Sequence, residues 1–211
     1  MILFTCEQLS EAWHDARLGR ITGTRFKNLM SKEDTVSYKD LLANIACEII
    51  TGKAEDTYVN AVMEAGIETE PEARMDYEIL FGTEIKQVGF IIPDEDHKYH
   101  DWIGISPDGL TVDNGMIEIK CPLAKTHFGY IESKLSYMLP SDYRYQVQGQ
   151  LFVTGFDYCD FISYCKGMKL FVVRVYPDKD LFAEFEQKLD KAIDQIKVKI
   201  ERYNKYNLLN E

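Results

Sequence analysis

The chain has 211 residues and a mass of 24.4 kDa, which suits one domain, residues 1–211, with a full-sized hydrophobic core. Its hydrophobic content of 45% and charged content of 28% are ordinary for a globular protein, and no apolar run approaches the roughly 20 residues that span a bilayer. The net charge of −11 argues against a nucleic-acid partner only weakly, because a site for divalent cations must itself concentrate carboxylates.

The N-terminal sequence and the cysteines bear on the cellular compartment. The first residues, MILFTCEQL, carry neither the basic region nor the long apolar stretch of a signal peptide, so we expect an intracellular protein. The five cysteines are scattered and form no CxxC pair, which disfavours a structural zinc site and, without an export signal, a disulfide framework. We expect free thiols that are mostly buried.

Most of the first eighty residues are predicted to be helical. An amphipathic segment around Trp13 ends at Gly19, and the hydroxyl of Thr22 is placed to cap a second helix through Met30. From Tyr38 to Thr51 apolar residues recur at helical spacing, and Gly52 follows as a stop signal. A further helix is predicted at 58–81, interrupted near its proline at position 71.

The hydrophobic period then changes from helix to strand. Strands are predicted at 84–92, 102–105 and 116–121, with a polar turn at 93–100. The remainder predicts a helix at 140–155, a hairpin of strands at 157–165 and 169–176 that turns at 166–168, and a final helix at 178–206. Helices, then strands, then helices predict an α+β fold with a mixed central sheet flanked by helices.

Two short segments contain a candidate catalytic site: SPDGL at 106–110 and GMIEIKCP at 115–122. Alternation along a strand places Glu118 and Lys120 on one face, while the apolar residues between them face the core. Asp108 lies ten residues earlier, on the preceding hairpin arm, and reaches the same point if the two strands pair. The three side chains are therefore expected to converge.

The residue types at this point suit metal-assisted hydrolysis. Asp108 and Glu118 offer hard oxygen ligands of the kind that Mg²⁺ or Mn²⁺ prefers, and the backbone carbonyl of Ile119 could supply another. A coordinated water becomes more acidic, and Lys120 could position it or stabilise its hydroxide form. A second ion could neutralise the leaving oxygen of a phosphodiester. Taken singly, Asp-Gly is a common turn and Glu-x-Lys a common exposed strand pair, so the hypothesis depends on their combination.

Pro107-Asp108 followed by Glu118-Ile119-Lys120 resembles the PD-(D/E)xK nuclease superfamily, which implies a restriction-endonuclease-like core. Over nearly its whole length the chain also resembles lambda exonuclease and its phage recombination relatives. Five segments in the family's order carry this resemblance: AWHDARLGRITGT (12–24), ETEPEAR (68–74), SPDGL, GMIEIKCP and YRYQVQGQLFVTG (143–155).

The resemblance implies an enzyme with a defined direction on DNA. It would degrade one strand of linear double-stranded DNA from 5′ to 3′, use Mg²⁺ with Mn²⁺ as a substitute and two ions per site, and release 5′-mononucleotides. The remaining 3′ single strand would pass to an annealing recombination protein. The family assembles as a ring-shaped homotrimer, and the phage or prophage origin that it implies would place the protein in the cytoplasm of a bacterial host.

The resemblance also assigns roles to residues outside the two segments. Glu70 of ETEPEAR matches an acidic residue that serves the metal site directly or through water. Arg17 matches a residue that grips the terminal 5′ phosphate, and Ser106 could add a hydroxyl. Thr24 stands where a small hydroxyl residue, often serine in relatives, contacts the same phosphate. Gln146 lies where relatives orient the phosphate or the nucleophile. Arginine suits such a pocket because its guanidinium can contact phosphate at two points.

Several polar and aromatic residues remain ambiguous in the sequence. Trp13 is a core anchor more readily than a base-stacking residue, and Tyr143 and Tyr145 could pack or contact DNA. Gln148 and Gln150 are undecided, although Gln150 shares a helix face with the residue at 146.

Two other functions are compatible with parts of the sequence. A structure- or sequence-specific endonuclease of the same superfamily would use the same chemistry on another substrate. A non-catalytic acidic protein that mimics DNA would agree with the net charge of −11, but it would not need the Asp, Glu and Lys set.

Overall fold

The computed structural model describes residues 1–54, 61–133 and 138–208. Two single turns of 3-10 helix, Gly23–Arg25 and Ser141–Tyr143, precede the second and sixth α-helices. In chain order, the α-helices and β-strands of these ranges are β1 (Ile2–Phe4), α1 (Glu11–Arg17), β2 (Ile21–Thr22), α2 (Phe26–Leu29), α3 (Val36–Thr51), α4 (Ala61–Phe81), β3 (Phe90–Ile92), β4 (Ile103–Gly104), β5 (Gly109–Leu110), β6 (Gly115–Lys120), α5 (Ala124–Glu132), α6 (Arg144–Thr154), β7 (Tyr158–Ser163), β8 (Phe171–Val175) and α7 (Lys179–Leu208).

A sheet with strand order β5-β6-β7-β8 forms the centre of the fold. β6 and β7 run parallel, whereas β5 pairs with β6 and β8 pairs with β7 in antiparallel fashion. The hairpin between β7 and β8 turns at Gly167, whose φ of +83° is one that glycine adopts readily. Helices pack on both faces, which confirms the expected α+β fold with a mixed sheet flanked by helices.

The central strands are buried on both faces. All of β7 is buried, as is all of β6 except Lys120. One face of β6 packs against Ala73 and Tyr77 of α4, and the opposite face belongs to the main core, to which α3, α6 and α7 contribute. Parallel strands buried on both faces are typical of sheets covered by helices. A charged side chain on β6 is therefore surrounded by protein.

The long helices that the sequence predicts are confirmed, together with their stop signals. Gly52 follows the end of α3 and Gly155 follows the end of α6, and both glycines adopt the left-handed conformation, with φ of +65° and +67°. Ser10 caps the start of α1, and its hydroxyl accepts from the Trp13 amide. Within the described ranges, no helix is both long and apolar enough to cross a membrane.

Three expectations about local structure are wrong, and two elements were not predicted. The Thr22 hydroxyl caps no helix, because Ile21 and Thr22 form β2, which pairs in parallel with β4, and a 3-10 turn follows. Pro71 does not interrupt its helix, since α4 runs from Ala61 to Phe81. Residues of α4 before and after the proline contact β6 or the residue that follows it. Positions 58–60 of the predicted helix lie outside the described residues. The strand predicted at 84–92 is limited to β3, and the short helix α5 and the strand β1 were not predicted.

The cysteines agree only in part with the expectation. All five are free, but Cys159 alone is fully buried, whereas Cys47 is exposed and the others are intermediate. The expectation of mostly buried thiols is therefore wrong. Cys47 lies on α3, where the packing face is formed by Leu41, Leu42 and Ile45.

Gly149 on α6 provides a test of the packing between α6 and α2. A Cβ at this position would lie 2.5 Å from the ring of Phe26, which is fully buried, so the ring or the helix would have to shift. We expect Gly149→Ala to lower the free energy of unfolding by about 1–3 kcal/mol through overpacking. Gly129→Ala on α5 is the matched control, because a Cβ there meets nothing within 4 Å. Urea denaturation measures both variants against the wild type. A Gly149→Ala variant as stable as the wild type would contradict this packing.

Candidate active site

Strand pairing brings Asp108 next to the strand that carries Glu118 and Lys120. Gly109 on β5 is opposite Ile117 on β6, and the Asp108 amide donates to the Ile117 carbonyl at 3.2 Å. The Asp108 carboxylate in turn accepts from the amide of Ile119. The sequence predicted this convergence from the hairpin, and the structure brings the residues together. We call Asp108, Glu118 and Lys120 the carboxylate–lysine site.

Glu118 is held from several sides. It is 1% exposed, and the ammonium of Lys120 donates to its Oε1 atom. Two amides of α6 complete the set: Gln146 also donates to Oε1, and Gln150 donates to Oε2 at 2.6 Å. The carboxylate therefore has a fixed orientation. The face that 146 and 150 share on α6 is the one that contacts it, which resolves the ambiguity about Gln150.

Helix α4 adds a third carboxylate from the side of the sheet. Glu70 is partly buried, and its Oε1 atom accepts from Arg74, one helical turn later, at 2.6 Å. Arg74 is itself buried, and its Nε atom donates to the backbone carbonyl of Asp108 at 3.3 Å. Glu70 thus lies near the site, in an ion pair with an arginine that also contacts the Asp108 segment.

The charges of the carboxylate–lysine site influence one another strongly. Burial, reinforced by the neighbouring Glu118 carboxylate, raises the pKa of Asp108 well above its ordinary value. Burial also raises the pKa of Glu70, with Arg74 opposing and Glu118 reinforcing the shift. Burial alone would lower the pKa of Lys120, but Glu118 and Asp108 outweigh it and raise that pKa. The site therefore concentrates negative charge that a single lysine only partly offsets.

The residues present fit a hard divalent cation. Carboxylate oxygens of Asp108 and Glu118, with the carbonyl of Ile119 between them in sequence, are the donors that Mg²⁺ and Mn²⁺ prefer. A bound cation would also relieve the repulsion from Glu118 that, together with the larger effect of burial, raises the pKa of Asp108. Within the described ranges, no group of three or more His, Cys, Asp or Glu side chains is close enough to hold an ion, in keeping with the pairing of Glu70 to Arg74. Glu70, while paired with Arg74, would contribute through water.

A second cluster, which we call the anion pocket, consists of Trp13, Arg17 and Ser106. The Ser106 hydroxyl accepts from the Trp13 indole at 2.9 Å and from Arg17 at 3.0 Å, so both of its lone pairs are used and its proton remains for donation. The guanidinium of Arg17 stacks 4.0 Å above the Trp13 ring. The pocket thus presents donors to any incoming group, which suits an anion.

The charge of Arg17 is not neutralised by an ion pair. Among the described residues no carboxylate lies within ion-pair distance of it, and its other hydrogen bond is to the Thr22 hydroxyl at 3.5 Å. Burial and the neighbouring Arg25 lower the pKa of Arg17 to about 10, with Glu48 opposing, so it remains a cation at neutral pH. Thr24 lies exposed on the 3-10 turn that follows β2, and no contact places its hydroxyl in the pocket. The structure thus brings Arg17 and Ser106 together but not Thr24.

Glu48 fixes the segment between Gly19 and Arg25, which follows Arg17 in the chain. No pattern in the sequence indicates this role. The Glu48 carboxylate on α3 is 4% exposed, accepts from the Gly19 amide at 2.9 Å and pairs with Arg25. On a sequence basis it looks like an ordinary exposed residue of an amphipathic helix. Gln150 and Arg74, in contrast, stand four residues after Gln146 and Glu70, and that helical spacing could have identified them.

Comparison with known proteins gives similarities in both sequence and structure. A family model described as YqaJ-like viral recombinase domain matches residues 12–157. An alkaline exonuclease (LHK-Exo) from Laribacter hongkongensis is 33% identical, with a TM-score of 0.84, and the match covers 96% of this chain and 100% of that chain. The same enzyme has also been solved in complex with dAMP, where it matches at 32% identity and the same TM-score.

Two more distant proteins are also similar. A phage related exonuclease from Haemophilus somnus 129PT has a TM-score of 0.67 at 14% identity, covering 87% of this chain and 96% of that chain, which is a likeness of fold. Protein R354 of Acanthamoeba polyphaga mimivirus, described as uncharacterized, is 26% identical over 173 residues. That match covers 76% of this chain and 29% of R354, so the chain spans less than a third of the viral protein's length.

Proposed function

This chain belongs to the family of YqaJ-like viral recombinase domains, and we propose that it is a Mg²⁺-dependent exonuclease that degrades one strand of linear double-stranded DNA from 5′ to 3′. The family and the likeness to the alkaline exonuclease make it a nuclease with a restriction-endonuclease-like core. Its direction, its metal and its products are the proposed part. The products would be 5′-mononucleotides and a 3′ single strand for recombination.

One observation supports this proposal above the others: the anion pocket and the carboxylate–lysine site share a single short segment. Ser106 belongs to the first and Asp108 to the second, and two residues of extended chain span at most about 7 Å. A terminal phosphate bound by Arg17 and Ser106 would therefore hold the end of a DNA strand next to the hydrolytic groups. This arrangement would set the direction of digestion from the 5′ end.

The side chains of the site divide the chemistry between them. A divalent cation held by Asp108, Glu118 and the Ile119 carbonyl would lower the pKa of a water and neutralise charge on the phosphate. Lys120, which donates to Glu118 in the structure, would donate a hydrogen bond to the attacking water and stabilise it as it loses its proton. Gln146 keeps Glu118 in one orientation, and no side chain acts as a nucleophile. The proton of the water passes to solvent, and the leaving 3′ oxygen takes up another.

The comparisons support the product class only indirectly. LHK-Exo has been solved with dAMP, a 5′-mononucleotide, and mononucleotides are the products that we propose for this chain. We further propose one nuclease domain over residues 1–211, with two ions per site and Mn²⁺ able to replace Mg²⁺. A ring-shaped homotrimer, a single-strand annealing protein as partner and the cytoplasm of a bacterial host carrying the phage gene complete the proposal.

The proposed direction can be tested with linear duplex DNA that has a 5′ phosphate and distinct labels near the two ends of one strand. In Mg²⁺ the 5′ label should be released first, and a covalently closed plasmid should remain intact. Internal cutting would instead indicate an endonuclease of the same superfamily. No cutting in either Mg²⁺ or Mn²⁺ would contradict the assignment and favour a DNA-mimicking protein.

Arg17→Gln should abolish the preference for a 5′ phosphate while leaving the chemistry in place. A hydrogen bond between charged partners contributes about 1.5–3 kcal/mol, so the ratio of rates on 5′-phosphate and 5′-hydroxyl ends should fall by roughly 10- to 100-fold. The measurement compares initial rates on the two substrates at subsaturating concentration. Arg20→Gln is the control, because Arg20 donates to the His100 carbonyl outside the pocket. An unchanged ratio in Arg17→Gln would exclude the anion pocket as the phosphate site.

A further inference from the structure

Arg74 holds three separate parts of the chain around the carboxylate–lysine site. Its Nη2 atom donates to Glu70 on α4 at 2.6 Å, and its Nε atom donates to the carbonyl of Asp108 at 3.3 Å. With the Gln87 amide oriented so that its oxygen faces donors, that oxygen accepts from Nη1 and Nη2 of Arg74 at 3.1 and 3.2 Å. Only the planar fork of a guanidinium has donors in all these directions.

The position of Arg74 argues for more than a structural role. It is buried, with 9% of its surface exposed, and a buried cation with its partner carboxylate usually stabilises a fold no better than apolar side chains of similar volume. Its partners include both the carboxylate that α4 contributes and the backbone of Asp108. Outer groups that orient a carboxylate near a metal are known to influence the affinity for that metal.

We infer that Arg74 is a positioning residue that fixes Glu70 relative to Asp108 and thereby sets the affinity of the site for a divalent cation. The inference rests on the proposed function, because it assumes that Asp108 and Glu118 bind the cation. Arg74 contacts neither DNA nor the reacting atoms in this role. Lysine at the same position would keep the charge but could not contact Glu70 and the Asp108 carbonyl together.

The first test measures Mn²⁺ binding to the metal-free protein by isothermal titration calorimetry, without DNA. We expect Arg74→Lys to weaken Mn²⁺ binding by about 10- to 100-fold, the range found for groups that orient metal ligands. Glu72→Gln is the matched control: this residue of the same helix bonds Tyr164 and Lys166 instead, so its loss should leave the Mn²⁺ affinity unchanged. Circular dichroism confirms that each variant is folded.

The outcomes separate this inference from the proposed function. Arg74→Lys with the wild-type Mn²⁺ affinity would overturn the role of Arg74 alone. A wild-type protein that binds no Mn²⁺ would overturn the metal site and, with it, this inference.

A second pair of variants covers the case in which Arg74→Lys does not fold. Glu70→Gln combined with Arg74→Met removes both charges and so leaves no unpaired ion in the interior. Its Mn²⁺ affinity is compared with that of Glu70→Gln alone. The inference requires weaker binding in the double variant, because the link from Arg74 to the Asp108 carbonyl is lost there. Removal of the unpaired Arg74 cation would by itself strengthen Mn²⁺ binding, so equal or tighter binding in the double variant would overturn the inference.

Discussion

Replacement of Lys120 by alanine is expected to reduce DNA hydrolysis by about 10²–10⁴-fold, the usual contribution of a residue that assists proton transfer. Folding should survive, because Glu118 keeps its bonds to Gln146 and Gln150 after the lysine is removed. DNA binding should also remain near the wild-type level, since the anion pocket is unaffected. Single-turnover release of labelled nucleotide measures the chemistry, and fluorescence anisotropy in EDTA measures the binding.

The control for this variant is Lys125→Ala, which changes an exposed lysine at the start of α5 and should digest DNA at the normal rate. Near-normal turnover in Lys120→Ala would remove Lys120 from the mechanism. A parallel loss of DNA binding would point to a role in binding instead of hydrolysis.

Replacement of Asp108 by asparagine is expected to abolish activity and to stabilise the metal-free protein. Activity should fall on the order of 10³-fold, because a cation in the site contributes several kcal/mol to the transition state and each 1.4 kcal/mol is a factor of about ten. The side-chain carbonyl of the introduced asparagine can still accept from the Ile119 amide, so the local structure is kept. Loss of the buried negative charge removes the cost of burying it and the repulsion from Glu118 and Glu70, which together outweigh the lost attraction to Lys120.

The stabilisation should depend on pH in a defined direction. Because the pKa of Asp108 is raised in the folded state, the folded protein holds the proton more tightly than the unfolded chain. The resulting stability is present at low pH and is lost as pH rises through the raised pKa. Melting temperatures in EDTA should therefore fall with pH more steeply in the wild type than in Asp108→Asn.

Asp190→Asn is a control with the opposite sign. Bonds from Lys98 and Tyr99 lower the pKa of Asp190, so its charged form contributes stability that is present above the ordinary carboxyl pKa and is lost as pH falls through the lowered value. This variant should not be more stable than the wild type at neutral pH. A melting temperature of Asp108→Asn below that of the wild type at every pH would contradict the expected repulsion.

The centre of the candidate site could be predicted from the sequence because its geometry is local. Alternation along one strand fixes the relative position of Glu118 and Lys120, and a hairpin brings Asp108 to them across a few residues. The roles of these residues remain predictions. Glu48 could not be found in the same way, since its partners Gly19 and Arg25 approach it only after α3 has packed against the preceding loop.

The elements that were predicted wrongly or not at all also depend on contacts between distant parts of the chain. α3 and α6 were predicted because a helical period and a glycine stop are both visible within one segment. β2 consists of two residues, too few to show a period, and it exists because β4 pairs with it from a distant part of the chain. β1 likewise depends on its pairing with β3. The sequence shows a proline at position 71 but not the contacts on both sides that accompany a continuous α4.

The proposed recognition of strand ends and the proposed hydrolysis depend on different apolar clusters, although the segment from Ser106 to Asp108 joins the two sites. The strand with Glu118 and Lys120 lies between the main core and a second cluster on the opposite face of the sheet, whereas Trp13 of the anion pocket packs in a smaller cluster with Phe90 and Ile92. Small satellite clusters open at a lower free-energy cost than a central sheet. On gentle warming, such a molecule would lose its ability to recognise strand ends before its ability to cleave phosphodiester bonds. The preference for strand ends would then be lost at a lower temperature than the hydrolytic activity of the same chain.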